Sequence, residues 1–230
     1  VSDQWASIGH SQGGHAVLGA AQYASRAQLN YKGTVAIAPA SNLASILTIG
    51  EQQASTLPIN YQIQMLAQLD TYTALIVAGM QGHNKSVTYN EVFKNDTVIL
   101  APIAEAECSS TVGVQLGTAM SIYAAGIGQG TLTGYGRLQS GFMSIPVIDT
   151  FLKKDSQPGL APLNKKVFIY QGEADTTVPK AATDLLIASM KANGTSASNI
   201  QYTTSAAWDH GTVYTQNYTS FVDNIDSLFQ

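Results

Sequence analysis

A serine hydroxyl becomes a nucleophile when a histidine takes its proton and a carboxylate orients that histidine. Residues of these three types stand in telling places along this chain. Gly9-His10-Ser11-Gln12-Gly13 is a G-x-S-x-G pentapeptide. The glycines answer a steric demand: a serine thrust forward on a tight strand-to-helix turn leaves no room for side chains two residues before and after it. Chance alone yields such a pentapeptide in roughly one chain in ten of this length, so its setting must carry the reading. The setting fits, with an apolar strand ending at Ile8, a small-residue helix from Gly13, and Gly14 letting that helix lie close to the strand. A near match, Gly194-Thr195-Ser196-Ala197-Ser198, lacks the second glycine and follows a helical pattern, so it reads as a loop.

The base and the acid are sought further along. Trp208-Asp209-His210-Gly211 follows a strand pattern and makes His210 the candidate base. His10 is expected to pack beside Ser11 rather than act on it, His15 falls on the helix, and His83 lies in the middle segment. Asp209 cannot easily orient the ring of its own neighbour and reads as a surface or capping residue. Two carboxylates, Glu173 and Asp175, follow a strand in Gln171-Gly172-Glu173-Ala174-Asp175-Thr176-Thr177-Val178-Pro179. Both sit where ligands meet a parallel sheet, beyond the carboxyl ends of its strands. The stretch Gly126-Ile127-Gly128-Gln129-Gly130-Thr131 lacks the last glycine of a dinucleotide fingerprint and no strand precedes it. The chemistry needs neither cofactor nor metal.

These residues have to be held by regular elements. Apolar or β-branched runs predict strands ending at residues 5–8 and spanning 33–38, 167–171 and 200–204. Helical spacing predicts helices over 13–28, 181–192 and 214–229. Strand and helix alternate, which argues an α/β fold with a parallel sheet flanked by helices. Residues 41–162 differ: helical patterns at 43–53, 58–80 and 90–93 and a glycine-rich stretch at 126–136 predict an inserted helical domain. The core is then 1–40 with 163–230.

Composition narrows the partners. The 230 residues are 45% apolar, enough for a substantial core, and 11% charged with a net charge of −4. An average globular protein carries roughly 25% charged residues. Nothing here suits nucleic acid, and the uncharged polar surface suits a secreted or periplasmic protein. The longest apolar run, 74–80, is far short of the roughly 18 residues that cross a bilayer. Cys108 stands alone and is expected to be a buried small hydrophobe. The chain opens on Val1-Ser2-Asp3-Gln4-Trp5 with no basic or apolar leader, so a leader has been removed or the true beginning is absent.

The elbow Gly9-His10-Ser11-Gln12-Gly13-Gly14, the pattern Gly172, Asp175, Val178, Pro179 and the pair His210-Gly211 resemble the α/β-hydrolase superfamily. Over most of the chain they resemble secretory lipases related to Candida antarctica lipase A. The resemblance implies the chain order Ser11, Asp175, His210 for the triad and favours Asp175 over Glu173. It implies carboxylester hydrolysis through an acyl-enzyme, with residues 41–162 as a lid above the acyl chains. Met65, Leu66, Leu69 and Tyr72 are candidate acyl contacts. The backbone N–H of Gln12 would be one oxyanion donor, and the second would come from a loop upstream of these residues.

A full relative has several strands before the elbow. The strand before Ser11 is therefore expected to pair with an upstream segment or with a second copy of the chain, because an unpaired central edge is unstable. The readings that remain are a serine esterase or lipase acting on a small-molecule or lipid ester, a serine peptidase or an acyltransferase on the same fold, and a non-catalytic fragment or subunit with an incomplete oxyanion hole.

Overall fold

The computed structural model of the chain describes residues 3–230, apart from the side chains of His83 and Asp96. β1 (Gln4–His10) runs through Ser11 into α1 (Gln12–Gln22), and β2 (Asn30–Ile37) follows. Then come α2 (Leu43–Ala54), α3 (Ile59–His83), α4 (Tyr89–Val92), α5 (Asp96–Leu100), α6 (Ser109–Ala125) and α7 (Pro146–Thr150). The chain returns through β3 (Lys166–Gly172), α8 (Lys180–Ala192), β4 (Ile200–Ser205), α9 (Thr212–Thr215) and α10 (Tyr218–Ser227). It divides into two compact units, Val1–Ile46 with Leu152–Gln230, and Leu47–Phe151.

The first unit is a parallel sheet in the order β1-β2-β3-β4. Side chains alternate across it. Val35, Ile37, Phe168 and Tyr170 pack with Val213 of α9 and Phe221 of α10. Ala36, Val167 and Ile169 meet Leu18 of α1 and Leu186, Ile187 and Met190 of α8. A sheet covered on both faces needs apolar residues at successive positions, which is why these strands read as continuous apolar runs. Truncating a fully buried residue here, such as Ile169, would cost about 2–5 kcal/mol. Among the described residues β1 pairs with β2 alone, and Ile8 on it is 47% exposed. Where the chain leaves this unit and comes back, Asn42 donates its backbone N–H to Gln157 Oε1 at 2.8 Å and its side-chain amide to the carbonyl of Ala182.

Two expected helices are cut short. The first ends at Gln22 rather than 28, because the chain tightens into a 3-10 turn at Ala24–Ala27 and Gln28 turns left-handed with φ 54°. The stretch 214–229 is broken as well: α9 stops before Asn217, whose side-chain amide donates back to the carbonyl of Val213.

The second unit is helical. Its longest element, α3, lies beside α6, a helix absent from the sequence reading. Two glycines one turn apart explain both facts. An added Cβ on Gly117 would sit 3.4 Å from Ala67 Cβ, and one on Gly113 would sit 3.3 Å from Thr71 Oγ1, so the helices approach closely there. Glycine and β-branched residues also weaken helix propensity, which hides α6 in the sequence. Cys108 is exposed rather than buried, since it occupies the extended residue that begins α6. Arg137 ties this unit together, donating from Nε to Asp70 at 2.9 Å and from Nη2 to Glu51 at 2.7 Å. Asp70 has no exposed surface, and burial pushes its carboxyl up to about 6 against the pull of Arg137.

Candidate active site

Ser11 occupies the turn between β1 and α1 with φ 58° and ψ −118°, a left-handed geometry for a residue with a side chain. Such backbone costs about 1–3 kcal/mol and persists only where its surroundings hold it. Here the N–H of Ser11 donates to the carbonyl of Ile37 at 2.8 Å, while its own carbonyl accepts from the N–H groups of His15 and Ala40. A Cβ on Gly9 would run into the carbonyl of Gly13, and one on Gly14 would lie 2.8 Å from the carbonyl of Ile37. The elbow is therefore closed to larger residues at Gly9 and Gly14. A Cβ on Gly13 would meet nothing within 4 Å, so the expected steric demand falls on the glycine before Ser11 and not on the one two residues after it. Gln12 begins α1, where backbone N–H groups have no partner one turn back.

His210 lies in the loop after β4, and its Nε2 is 2.9 Å from Ser11 Oγ. Its Nδ1 is 2.8 Å from Asp175 Oδ2. With the hydroxyl donating to Nε2, the ring is the tautomer that donates from Nδ1 to the carboxylate. Asp175 has a fully buried side chain, and its Oδ1 accepts the backbone N–H groups of Thr177 and Val178 at 2.9 and 2.8 Å. The two loops are fitted to each other by main chain. The N–H groups of Glu173 and Ala174 donate to the carbonyls of Ser205 and Trp208, and a side chain on Gly172 would strike the Trp208 carbonyl. All three residues thus stand beyond the carboxyl ends of parallel strands, with a hydroxyl, an imidazole and a carboxylate in one hydrogen-bonded row.

Other candidate residues have different places. Glu173 is exposed and accepts from Thr204 Oγ1, away from the row. Asp209 caps α9, taking the N–H groups of Gly211 and Thr212 on Oδ1, and those bonds hold its carboxyl below the usual range. His15 Nδ1 donates to the carbonyl of Ala40 at 2.7 Å. Of the four residues on α3, Leu66 and Leu69 are buried and Leu69 fills the space beside Gly50 of α2. Met65 and Tyr72 are half-buried, the Tyr72 hydroxyl accepting from Gln68.

Sequence reasoning missed two buried polar side chains near Asp175. Gln171 and Thr183 have no exposed surface and are bonded to one another at 2.7 Å. The one available signal was a glutamine ending an otherwise apolar strand, Lys166–Gly172.

No protein-family model matches the chain, and no curated protein does. Solved structures do resemble it. A hydrolase candidate from Legionella pneumophila superimposes with a TM-score of 0.67 at 14% identity, over 99% of this chain and 57% of its own. Candida antarctica lipase A gives a TM-score of 0.66 at 13% identity, over 98% of this chain and 49% of its own. The rice cell wall degrading esterase LipA from Xanthomonas oryzae gives 0.64 at 14% identity, over 100% of this chain and 59% of its own. This chain therefore has a partial α/β-hydrolase fold, a parallel sheet flanked by helices. It spans about half to three fifths of the length of the structures it matches.

Proposed function

We propose that the chain carries the catalytic triad of a serine carboxylester hydrolase, an esterase or lipase. The observation behind this is the row Ser11, His210, Asp175, with separations of 2.9 and 2.8 Å. Ser11 Oγ attacks the ester carbonyl carbon while its proton passes to His210 Nε2. The carbonyl oxygen becomes an oxyanion and receives the N–H of Gln12; a second donor comes from a segment upstream of β1. His210 returns the proton to the departing alkoxide, leaving an acyl-enzyme. Water then attacks the acyl carbon with His210 again as base, and the acid leaves with Ser11 restored. Asp175 stabilises the transient imidazolium and fixes its tautomer.

The helical unit supplies the acyl site in this proposal and acts as a lid. Its candidate acyl contacts on α3 are Met65, Leu66, Leu69 and Tyr72, of which Leu66 and Leu69 are buried. The low charge of the chain favours a role outside the cytoplasm, and among the described residues no helix is long and apolar enough to cross a membrane. The test is labelling with a fluorophosphonate followed by mass spectrometry, together with turnover of p-nitrophenyl esters of rising chain length. Adduct on Ser11, and butyrate to octanoate hydrolysed faster than acetate, is the expected result. Adduct on another serine, or cleavage of peptide anilides with esters untouched, would overturn it.

A further inference from the structure

Asp175 has room for more than the three bonds already described. Gln171 Nε2 lies 3.2 Å from its Oδ2, the oxygen that also receives His210. The same nitrogen is 2.9 Å from the carbonyl of Val178 and 3.1 Å from that of Gly172. Turning the amide over would set its oxygen against three acceptors, so the surroundings fix which end is nitrogen. The other end is fixed too, because Gln171 Oε1 accepts from Thr183 Oγ1 of α8 at 2.7 Å.

The two backbone bonds on Oδ1 hold Asp175 at one oxygen only. The carboxylate could still turn about its Cβ–Cγ bond and carry Oδ2 away from the imidazole. A second anchor on Oδ2 stops that rotation. The anchor must be a donor, it must be short of a full charge, and it must leave Oδ2 free on the side of His210. A cationic side chain would neutralise the carboxylate and weaken its hold on an imidazolium, whereas an apolar one would leave the carbonyls of Gly172 and Val178 buried without a donor. A primary amide on β3, clamped from behind by a hydroxyl on α8, meets all three conditions.

We infer that Gln171, held by Thr183, is a positioning residue of the hydrolytic reaction: it sets the plane of the Asp175 carboxylate and through it the orientation of His210. The inference rests on the triad reading above. Its reach is on kcat, because neither residue meets solvent or substrate.

The experiment compares Thr183→Val, Thr183→Ser and Gln171→Met with the wild-type chain, supplemented with whatever segment or partner gives full ester turnover. Three readouts are taken: kcat and KM on one p-nitrophenyl ester, the low-field NMR proton on His210 Nδ1, and the thermal midpoint. Thr183→Val is expected to lower kcat about tenfold, the equivalent of one displaced hydrogen bond in the transition state, with KM unchanged. The low-field proton should broaden. Thr183→Ser should restore both, and Gln171→Met should exceed Thr183→Val. Should Gln171→Met fail to fold, the threonine pair decides the matter. Wild-type kcat with an unaltered low-field proton in Thr183→Val would overturn the inference, as would equal losses in Thr183→Val and Thr183→Ser. If Ser11 takes no fluorophosphonate, the triad reading fails by itself, while the NMR arm still reports on whether Gln171 and Thr183 hold the His210 to Asp175 bond.

Discussion

His10 and His210 lie ring against ring with centroids 4.6 Å apart, and His10 Nε2 donates to the backbone carbonyl of His210 at 2.8 Å. The residue next to Ser11 thereby holds the loop that carries His210. On its other face His10 stacks on Tyr214 of α9 at 5.5 Å.

That arrangement has a pH signature. Burial, ahead of the nearby His210 charge, lowers the pKa of His10 from its ordinary value, although its bond to the His210 carbonyl pulls the other way. A histidine depressed in the folded state is protonated more readily in the unfolded chain, so its contribution to stability is present above the unfolded value of about 6.5 and is lost as pH falls below it. Thermal midpoints measured from pH 7.5 down to 5 should therefore drop more steeply for the wild-type chain than for His10→Phe, which keeps the ring stack. Parallel slopes would mean that His10 titrates as if free.

Asp175→Asn should reduce ester turnover by about four orders of magnitude, because the amide favours the wrong tautomer of His210. Glu173→Ala should leave most of it, since the Glu173 side chain faces solvent and its carboxylate accepts from Thr204 Oγ1, not from His210. Steady-state kinetics on one ester suffices, and the opposite ranking would move the acid to Glu173.

Gly172→Ala should be nearly as damaging as loss of the acid, without touching any reacting group. Its new methyl has to displace the carbonyl of Trp208, two residues before His210. Circular dichroism should stay close to wild type while turnover collapses; intact turnover would show that the two loops tolerate separation.

Arg137→Met should destabilise the chain by about 3–5 kcal/mol at neutral pH, leaving the buried Asp70 carboxyl without the cation that pairs with it. Acid should then rescue part of the loss. Asp70 would be raised further by burial once Arg137 is gone, and a raised carboxyl stabilises the fold below its unfolded value and penalises it as pH climbs through the folded one. Urea unfolding at pH 5 and 7.5 measures the difference.

Among the described residues β2 is the strand that pairs with β1, and Ile8 on β1 is exposed, so the other edge of β1 is a template for a further strand. We expect the isolated chain to associate, through an upstream segment supplied separately or through a second copy. Light scattering behind size exclusion reads this directly, and a stable monomer would mean that the edge is protected some other way.

Ser11, His210 and Asp175, which stand in one hydrogen-bonded row, were legible as candidates because each follows a strand. The strands β2 and β3 were legible because burial on both faces makes them continuous apolar runs. Less was visible where local pattern and tertiary demand part company. The helix α6 carries glycines that only its fit against Ala67 and Thr71 explains. The break after Gln22 comes with a 3-10 turn and a left-handed Gln28, and the one at Asn217 with its amide's bond to the Val213 carbonyl; spacing encodes neither. Gln171 and Thr183, twelve residues apart in the chain, acquire meaning only when β3 and α8 come together.

The sheet neighbours β2 and β3 are separated in the chain by the whole helical unit, and β4 joins later still. Closing so long a loop costs entropy that grows slowly, about 0.6 kcal/mol per doubling, but non-local parallel pairing is slow in time. Ser11 and His210 stand 199 positions apart. During synthesis, which runs from the amino end, the hydroxyl leaves the ribosome long before its base exists. Under the proposed chemistry a growing chain is inert toward esters until β4 docks, so the order of the residues along the chain withholds reactivity from every incomplete copy.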